Sequence, residues 1–128
     1  MIAKYKPEDY STVSPYLIVN GAPRTIEFLE KVFNAKNLRE ISSPDGKIIH
    51  AEMLIGDTVV MLTDGAEGWP AIPAHVHVYV SDVDETYKRA LEIGASSVQP
   101  PLKKGDENKR GAVKDSGGTT WWIATKVE

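Results

Sequence analysis

Two histidines, His75 and His77, stand two residues apart in the stretch Ala74-His75-Val76-His77-Val78-Tyr79-Val80, and the third, His50, is two residues from Glu52. An i, i+2 spacing on a strand puts both side chains on one face. Paired imidazoles with a carboxylate or a third imidazole could hold a divalent metal, so a site drawn from His50, Glu52, His75 and His77 is one reading. A second makes Glu52 a general base, its pKa raised in an aromatic pocket and suited to removing a proton next to a carbonyl. A third leaves His50, Glu52 and His77 as hydrogen-bonded groups that orient a ligand. Three tryptophans, Trp69, Trp121 and Trp122, add large flat surfaces in a chain that is only 8% aromatic. No Gly-x-Ser-x-Gly, phosphate-binding loop or dinucleotide fingerprint occurs, and Gly117-Gly118 is too short to cradle a phosphate.

The bulk numbers set bounds on this chemistry. At 128 residues, 41% hydrophobic and 26% charged, the chain has the size and composition of one globular domain spanning 1–128. A net charge of −3, with no clustered Lys/Arg, gives no reason to expect nucleic acid, and Lys103 to Arg110 mixes both signs as a solvated loop does. There are no cysteines, which removes thiol nucleophiles and thiolate metal sites. No apolar run approaches the ~18 residues of a membrane span, and the polar start lacks a signal-peptide core, so a cytoplasmic protein is expected.

Alternation and periodicity place the elements. Val13 to Val19 reads as a strand that Pro15 opens, Asn20 as a helix cap, and Ala22 to Phe33 as an amphipathic helix with Ile26, Leu29, Val32 and Phe33 on one side. Leu38 to Ser42, Ile48 to Ile55 and Thr58 to Thr63 follow as strands, joined by turns at Pro44-Asp45-Gly46 and Gly56-Asp57. After a Gly/Pro linker over 65–73 the order recurs. A strand from His75 to Val80 precedes a helix capped by Ser81 or Asp82, with Val83, Tyr87, Ala90 and Leu91 as its apolar stripe and Gly94 at its end. A short strand about Val98 comes next, then Gln99-Pro100-Pro101 opening a charged loop, then strands over Gly111 to Lys114 and Thr119 to Thr125. Gly111, Gly117 and Gly118 are assigned to turns, and residues 1–10 to a loosely held lead-in.

Val19 aligned with Val80 sets an offset of 61 residues, and the same offset pairs Gly56 with Gly117, Thr58 with Thr119 and Leu62 with Ile123. Two consecutive βαβββ modules, about 11–64 and 74–127, would therefore pack around one cleft of an α+β fold. Strand parity puts Ile49, Ala51, Met53 and Ile55 against the helix and Ile48, His50, Glu52 and Leu54 on the cleft side. By the same parity the cleft receives Ser14, Tyr16 and Ile18 from the first strand, Met61 from the fourth, His75, His77 and Tyr79 from the fifth, and Trp122 from the last. Trp121 belongs to the core, and Trp69 is left for cleft closure or a subunit contact.

Four stretches carry a resemblance: Pro15 to Val19 leading to Ile26-Glu27-Phe28-Leu29; His50 to Asp57; Val76 to Val80 before Asp82-Val83-Asp84; and Asp115 to Thr119 before Trp122. Over about residues 11–127 they resemble the vicinal oxygen chelate superfamily of glyoxalase I, extradiol dioxygenases, fosfomycin-resistance enzymes and bleomycin-binding proteins, and most of all its PhnB-like group. The resemblance implies two tandem modules around a curved mixed-sheet cleft. It also implies metal ligands at four strand positions, which fall here on Ser14, Met61, His75 and Trp122. Only His75 suits Ni²⁺, Zn²⁺, Mn²⁺ or Fe²⁺; a serine hydroxyl, a thioether and an indole do not. The expectation is accordingly a small-molecule-binding homodimer without metal or other cofactor. It would hold an aromatic or amphipathic ligand with Ser14, Tyr16, His50, Glu52, Met61, His75, His77, Tyr79 and Trp122, and Glu52 is the one candidate catalytic group. A metal-dependent lyase, isomerase or dioxygenase with a relocated site, and a scaffold with a vestigial cleft, stand as the alternatives.

Overall fold

The structure is a computed structural model and describes residues 5–128. The first module runs β1 (Tyr16–Val19), α1 (Ala22–Phe33), β2 (Lys36–Ser42), β3 (Ile48–Ile55) and β4 (Thr58–Asp64). The second repeats it with β5 (Ala74–Tyr79), α2 (Val83–Glu92), β6 (Ser96–Lys103), β7 (Asn108–Lys114) and β8 (Thr119–Lys126). Each module makes one four-stranded mixed sheet, ordered β1-β4-β3-β2 and β5-β8-β7-β6. In both, the first strand lies parallel to the last and the remaining pairs are antiparallel. This is an α+β fold of two open sheets and no closed barrel.

The expected duplication is written into the strand register. Tyr16 pairs with Met61 as His77 pairs with Trp122, and Leu17 with Leu62 as Val78 with Ile123, each at the offset of 61. The helix starts obey it too. The first amide of α1, on Ala22, donates to Asp64 Oδ1 at 2.7 Å, and that of α2, on Val83, donates to Thr125 Oγ1 at 2.8 Å. Asn20 therefore does not cap α1, because the last residue of β4 already supplies the acceptor and Gly21 takes the N-cap place in a left-handed conformation. At α2, Asp82 adds a local cap by accepting from the Glu85 amide at 3.1 Å.

Both helices and the inner faces of both sheets share one hydrophobic cluster. Leu29, Val32, Leu62, Trp121 and Ile123 are all fully buried in it, and Phe28 and Phe33 pack on Trp121 with ring centroids 6.2 and 5.5 Å away. Val76, Val78 and Val80 lean on the same cluster, as their alternation requires.

Several expectations about single residues need correcting. Ile48 is buried and Ile49 exposed, the reverse of simple alternation, because β3 is bulged there: Ile41 faces His50 but Ser42 faces Ile48. Leu91 is exposed and its place in the buried stripe of α2 goes to Thr86. Gln99-Pro100-Pro101 does not end the sixth strand. β6 continues to Lys103 because it is a sheet edge, where prolines remove no ladder bond, and two register shifts absorb them. Gly111 lies inside β7 instead of a turn, since a Cβ there would come within 3.1 Å of the Gln99 carbonyl and of Pro101.

Candidate functional site

The faces turned away from the shared core carry the polar and aromatic residues. On the first sheet one row of paired residues crosses all four strands: Tyr16, Met61, Glu52 and Arg39. Its counterpart on the second sheet is His77, Trp122, Ala112 and Gln99. The same lattice thus presents Glu52 beside the slim Met61 in one module and an alanine beside the bulky Trp122 in the other.

Glu52 is the hub of the first face. It is buried at 6% exposure, accepts from the Tyr10 hydroxyl at Oε1, and meets His50 Nε2 at 2.8 Å through Oε2. His50 Nδ1 in turn faces the Tyr16 hydroxyl at 3.4 Å, with the two rings 5.8 Å apart. With Nε2–H given to the carboxylate, Nδ1 is left as the acceptor. Burial pushes the Glu52 carboxyl up, but donation from Tyr10 and His50 more than offsets it and holds the group below its usual range. The expectation of a raised pKa fails for that reason: the pocket is aromatic, yet its rings bring hydrogen-bond donors. Tyr10 itself is raised, chiefly by its bond to Glu52.

On this face Tyr10 is the residue that sequence reading missed. The lead-in it belongs to is tied down. Lys6 Nζ donates to the Tyr10 carbonyl at 2.7 Å, and Ser11 Oγ receives the Val59 amide at 2.9 Å. Residues 1–4 of that lead-in lie outside the described residues. Ser14 precedes β1 and takes part in no described side-chain hydrogen bond.

The second face holds His75, His77, Tyr79 and Trp122, joined by two residues the sequence did not single out, Asn108 and Arg110. Trp122 Nε1 donates to His75 Nδ1 at 3.0 Å, and the two rings stack at 6.2 Å. Arg110 Nε donates to His77 Nε2 at 3.0 Å, and Asn108 Nδ2 to the Tyr79 hydroxyl at 3.1 Å. Burial and then the Arg110 charge hold His77 below the usual imidazole range. Strand alternation could have flagged Arg110, since Asn108, Arg110 and Ala112 share a parity, but the shorter strand expected from Gly111 hid it. Trp121 is in the core and Trp69 is 57% exposed, as parity and its linker position suggested.

One chain does not bring the two sets together. No hydrogen bond, ion pair or ring contact described joins Tyr10, Tyr16, His50 and Glu52 to His75, His77, Tyr79 and Trp122. The residues expected to line one cleft fall into two groups, one on each sheet. A relocated metal site drawing on His50, Glu52, His75 and His77 is not assembled among the described residues. Among the described residues no group of three His, Cys, Asp or Glu is placed to hold a metal. A groove of 590 Å³ opens between the modules, lined by Val32, Phe33, Ile55 and Thr58 of the first and by Val76, His77, Val78 and Tyr79 of the second.

The order βαβββ, twice over, with a shared register, is matched by the model of the Glyoxalase/Bleomycin resistance protein/Dioxygenase superfamily over residues 11–123. The chain belongs to that superfamily. An uncharacterized protein of Mycobacterium bovis is 34% identical, the match covering 90% of this chain and 83% of that one. Among solved structures, TioX from Micromonospora sp. ML1 superposes with a TM-score of 0.76 at 28% identity, covering 91% of this chain and 98% of the other. FosX from Listeria monocytogenes, a fosfomycin-resistance protein solved with Mn(II) and sulfate, superposes at 0.69 with 19% identity over 90% and 89% of the two chains, a likeness of fold alone. No described helix is long and apolar enough to cross a membrane.

The superfamily includes metal enzymes, so the donor set matters. Of the four strand positions where the resemblance puts ligands, Ser14 and Met61 offer a hydroxyl and a thioether, Trp122 offers none, and the Nδ1 of His75 is engaged by that same Trp122. These residues do not fit a divalent cation.

Proposed function

We propose that this chain is a small-molecule-binding member of the superfamily, of the PhnB-like kind, that works as a homodimer and without a divalent metal. The observation that carries the reading is the Trp122–His75 pair. An indole stands where the fold would need a ligand, and its N–H is donated to Nδ1 of the imidazole beside it. What remains on that face is a flat aromatic surface with oriented polar groups, which suits an aromatic or amphipathic ligand.

The separation of the candidate residues onto two sheets supports a dimer. Each carries half of the candidate residues, with no described hydrogen bond or ring contact between the halves. Among the described residues the outer edge of β5 is unpaired, and that of β1 receives only the Ile72 amide, donated to Ile18 at 3.0 Å. A second copy related by a two-fold axis would set the first-sheet face of one protomer against the second-sheet face of the other and complete two equal sites. Light scattering after size exclusion tests the assembly. Quenching of tryptophan emission by the neutral aromatic N-phenyl-1-naphthylamine, lost in Trp122→Phe, tests the ligand surface; a monomer that no planar compound quenches would sink the reading.

A second reading has its own observation. The chain Glu52–His50–Tyr16 has the order of a carboxylate orienting an imidazole whose free nitrogen faces a hydroxyl. It supports a proton-transfer enzyme in which His50, not Glu52, takes the proton. Exchange of a weakly acidic C–H with deuterium, abolished in His50→Gln, would favour it.

A further inference from the structure

On the second face, Tyr79, Ala124 and Arg110 are paired across β5, β8 and β7. The small alanine between them lets Arg110 reach across β8 to His77, whose ring lies 4.9 Å from that of Tyr79, and His77 is the register partner of Trp122. Arg110 is held at two points. Nε donates to His77 Nε2 at 3.0 Å and Nη1 to Asp106 Oδ2 at 3.3 Å. Nη2 has no described partner, and the side chain is 29% exposed. Arg89 is the contrast: its Nη2 is spent on the Val32 carbonyl at 2.7 Å, as a structural arginine's would be.

Asp106 does not need Arg110. Its Oδ1 already accepts the Asn108 amide at 2.9 Å, closing a local turn, and its side chain is 45% exposed. Such an exposed pair contributes little and is easily exchanged for another anion. Tyr79 accepts from Asn108, so its own O–H is free to donate to a ligand. A neutral His77 accepting from Nε fixes the guanidinium plane without adding charge.

We infer that Arg110 and Tyr79 form an oxyanion subsite, so that the ligand is a planar aromatic body carrying a carboxylate, sulfonate or phosphate group. The aromatic part rests on Trp122 and the anion takes the Nη2 edge of Arg110 in place of Asp106. This rests on the ligand surface proposed above and adds the chemical class that surface selects.

A matched pair of probes separates the two claims. 8-Anilinonaphthalene-1-sulfonate and N-phenyl-1-naphthylamine share an aromatic body and differ in the sulfonate. Titrated into the whole protein, the sulfonate binds more tightly to the wild type. Arg110→Gln weakens it by about tenfold, the scale of one charge-assisted hydrogen bond, and leaves the neutral probe unchanged. Lys114→Gln removes the same charge from the same strand and changes neither probe. Asp106→Asn tightens the sulfonate by removing its competitor. Equal effects of Arg110→Gln and Lys114→Gln, or weakening by Asp106→Asn with an unchanged thermal midpoint, would overturn the oxyanion subsite while the neutral probe still reports the ligand surface. If neither probe binds the wild type, the subsite and the surface it rests on fall together.

Discussion

The indole N–H of Trp122 is donated to Nδ1 of His75 at 3.0 Å, with the rings inclined by only 22°. A neutral imidazole accepting at Nδ1 keeps its proton on Nε2. For His75 to bind a cation it would have to give up either the indole bond or that proton, and it would find no second strong ligand beside it. Equilibrium dialysis against Mn²⁺, Zn²⁺ or Ni²⁺ should therefore leave the untagged protein with sub-stoichiometric metal, and His75→Ala should change nothing. One ion per chain, lost in His75→Ala, would contradict this and revive metal-assisted chemistry.

Glu52 makes a prediction about acid. Its folded-state carboxyl lies below the ordinary value because the donations of Tyr10 and His50 exceed the effect of burial. A depressed carboxyl contributes stability that is fully present above its unfolded pKa, about 4.3, and is lost as pH falls through the lower folded value. Glu52→Gln should thus cost about 1–3 kcal/mol at neutral pH. The gap between wild type and variant should close as urea midpoints are followed below about pH 4.3. A gap that stays constant through that range would show that the carboxylate's charge is not what the face depends on.

Asp64 ties the first helix to the bulged strand. Oδ1 accepts the Ala22 amide at 2.7 Å and Oδ2 the Ile48 amide at 2.8 Å, so one carboxylate serves the start of α1 and the break in β3. Asp64→Ala leaves both amides without acceptors and should cost about 2 kcal/mol. Asp64→Asn keeps one carbonyl oxygen and should cost less. Thermal melts of the two variants check the order; equal losses would mean only one of the two bonds matters.

Much of this fold was legible because its signals are local. The bounds of α1 and β3 follow from apolar spacing and glycine punctuation, and the duplication is a regularity of spacing. What stayed hidden is long-range. The cap of α1 comes from Asp64, 42 residues away along the chain, and nothing near Asn20 announces it. Ile48 and Ile49 exchange roles through a bulge that depends on the pairing of β2 with β3. For the site, parity correctly grouped His75, His77, Tyr79 and Trp122, and grouped Tyr16 with His50 and Glu52. It could not reveal that the groups lie on separate faces, because parity fixes a side of one sheet and not the relation between two. Tyr10 was unreachable by pattern: it stands outside any strand, and only its bond to Glu52 gives it a role.

The two modules approach each other closely at Gly117. A Cβ there would meet Thr25 Oγ1 at 2.7 Å and the Val19 Cβ at 3.1 Å, so the β7–β8 turn presses directly on β1 and α1. The turn is fixed by Asp115, whose buried carboxylate accepts the Gly117 amide at 2.9 Å, the Thr119 amide at 3.1 Å and the indole N–H of Trp121 at 2.8 Å. One side chain therefore shapes the turn, anchors the central aromatic of the core and sets how closely the modules approach. Asp115→Ala strands three donors and should cost about 3 kcal/mol or more. Gly117→Ala introduces overlap at a backbone that cannot retreat while Asp115 holds it, and should cost about 1–3 kcal/mol. The overlapping atom is the Thr25 hydroxyl, which is buried and has no described hydrogen-bond partner. Removing it in Thr25→Ala/Gly117→Ala should recover part of the loss, so that the double variant is more stable than the sum of the two single changes. Strict additivity in urea denaturation would place the strain of Gly117→Ala somewhere other than the junction between modules.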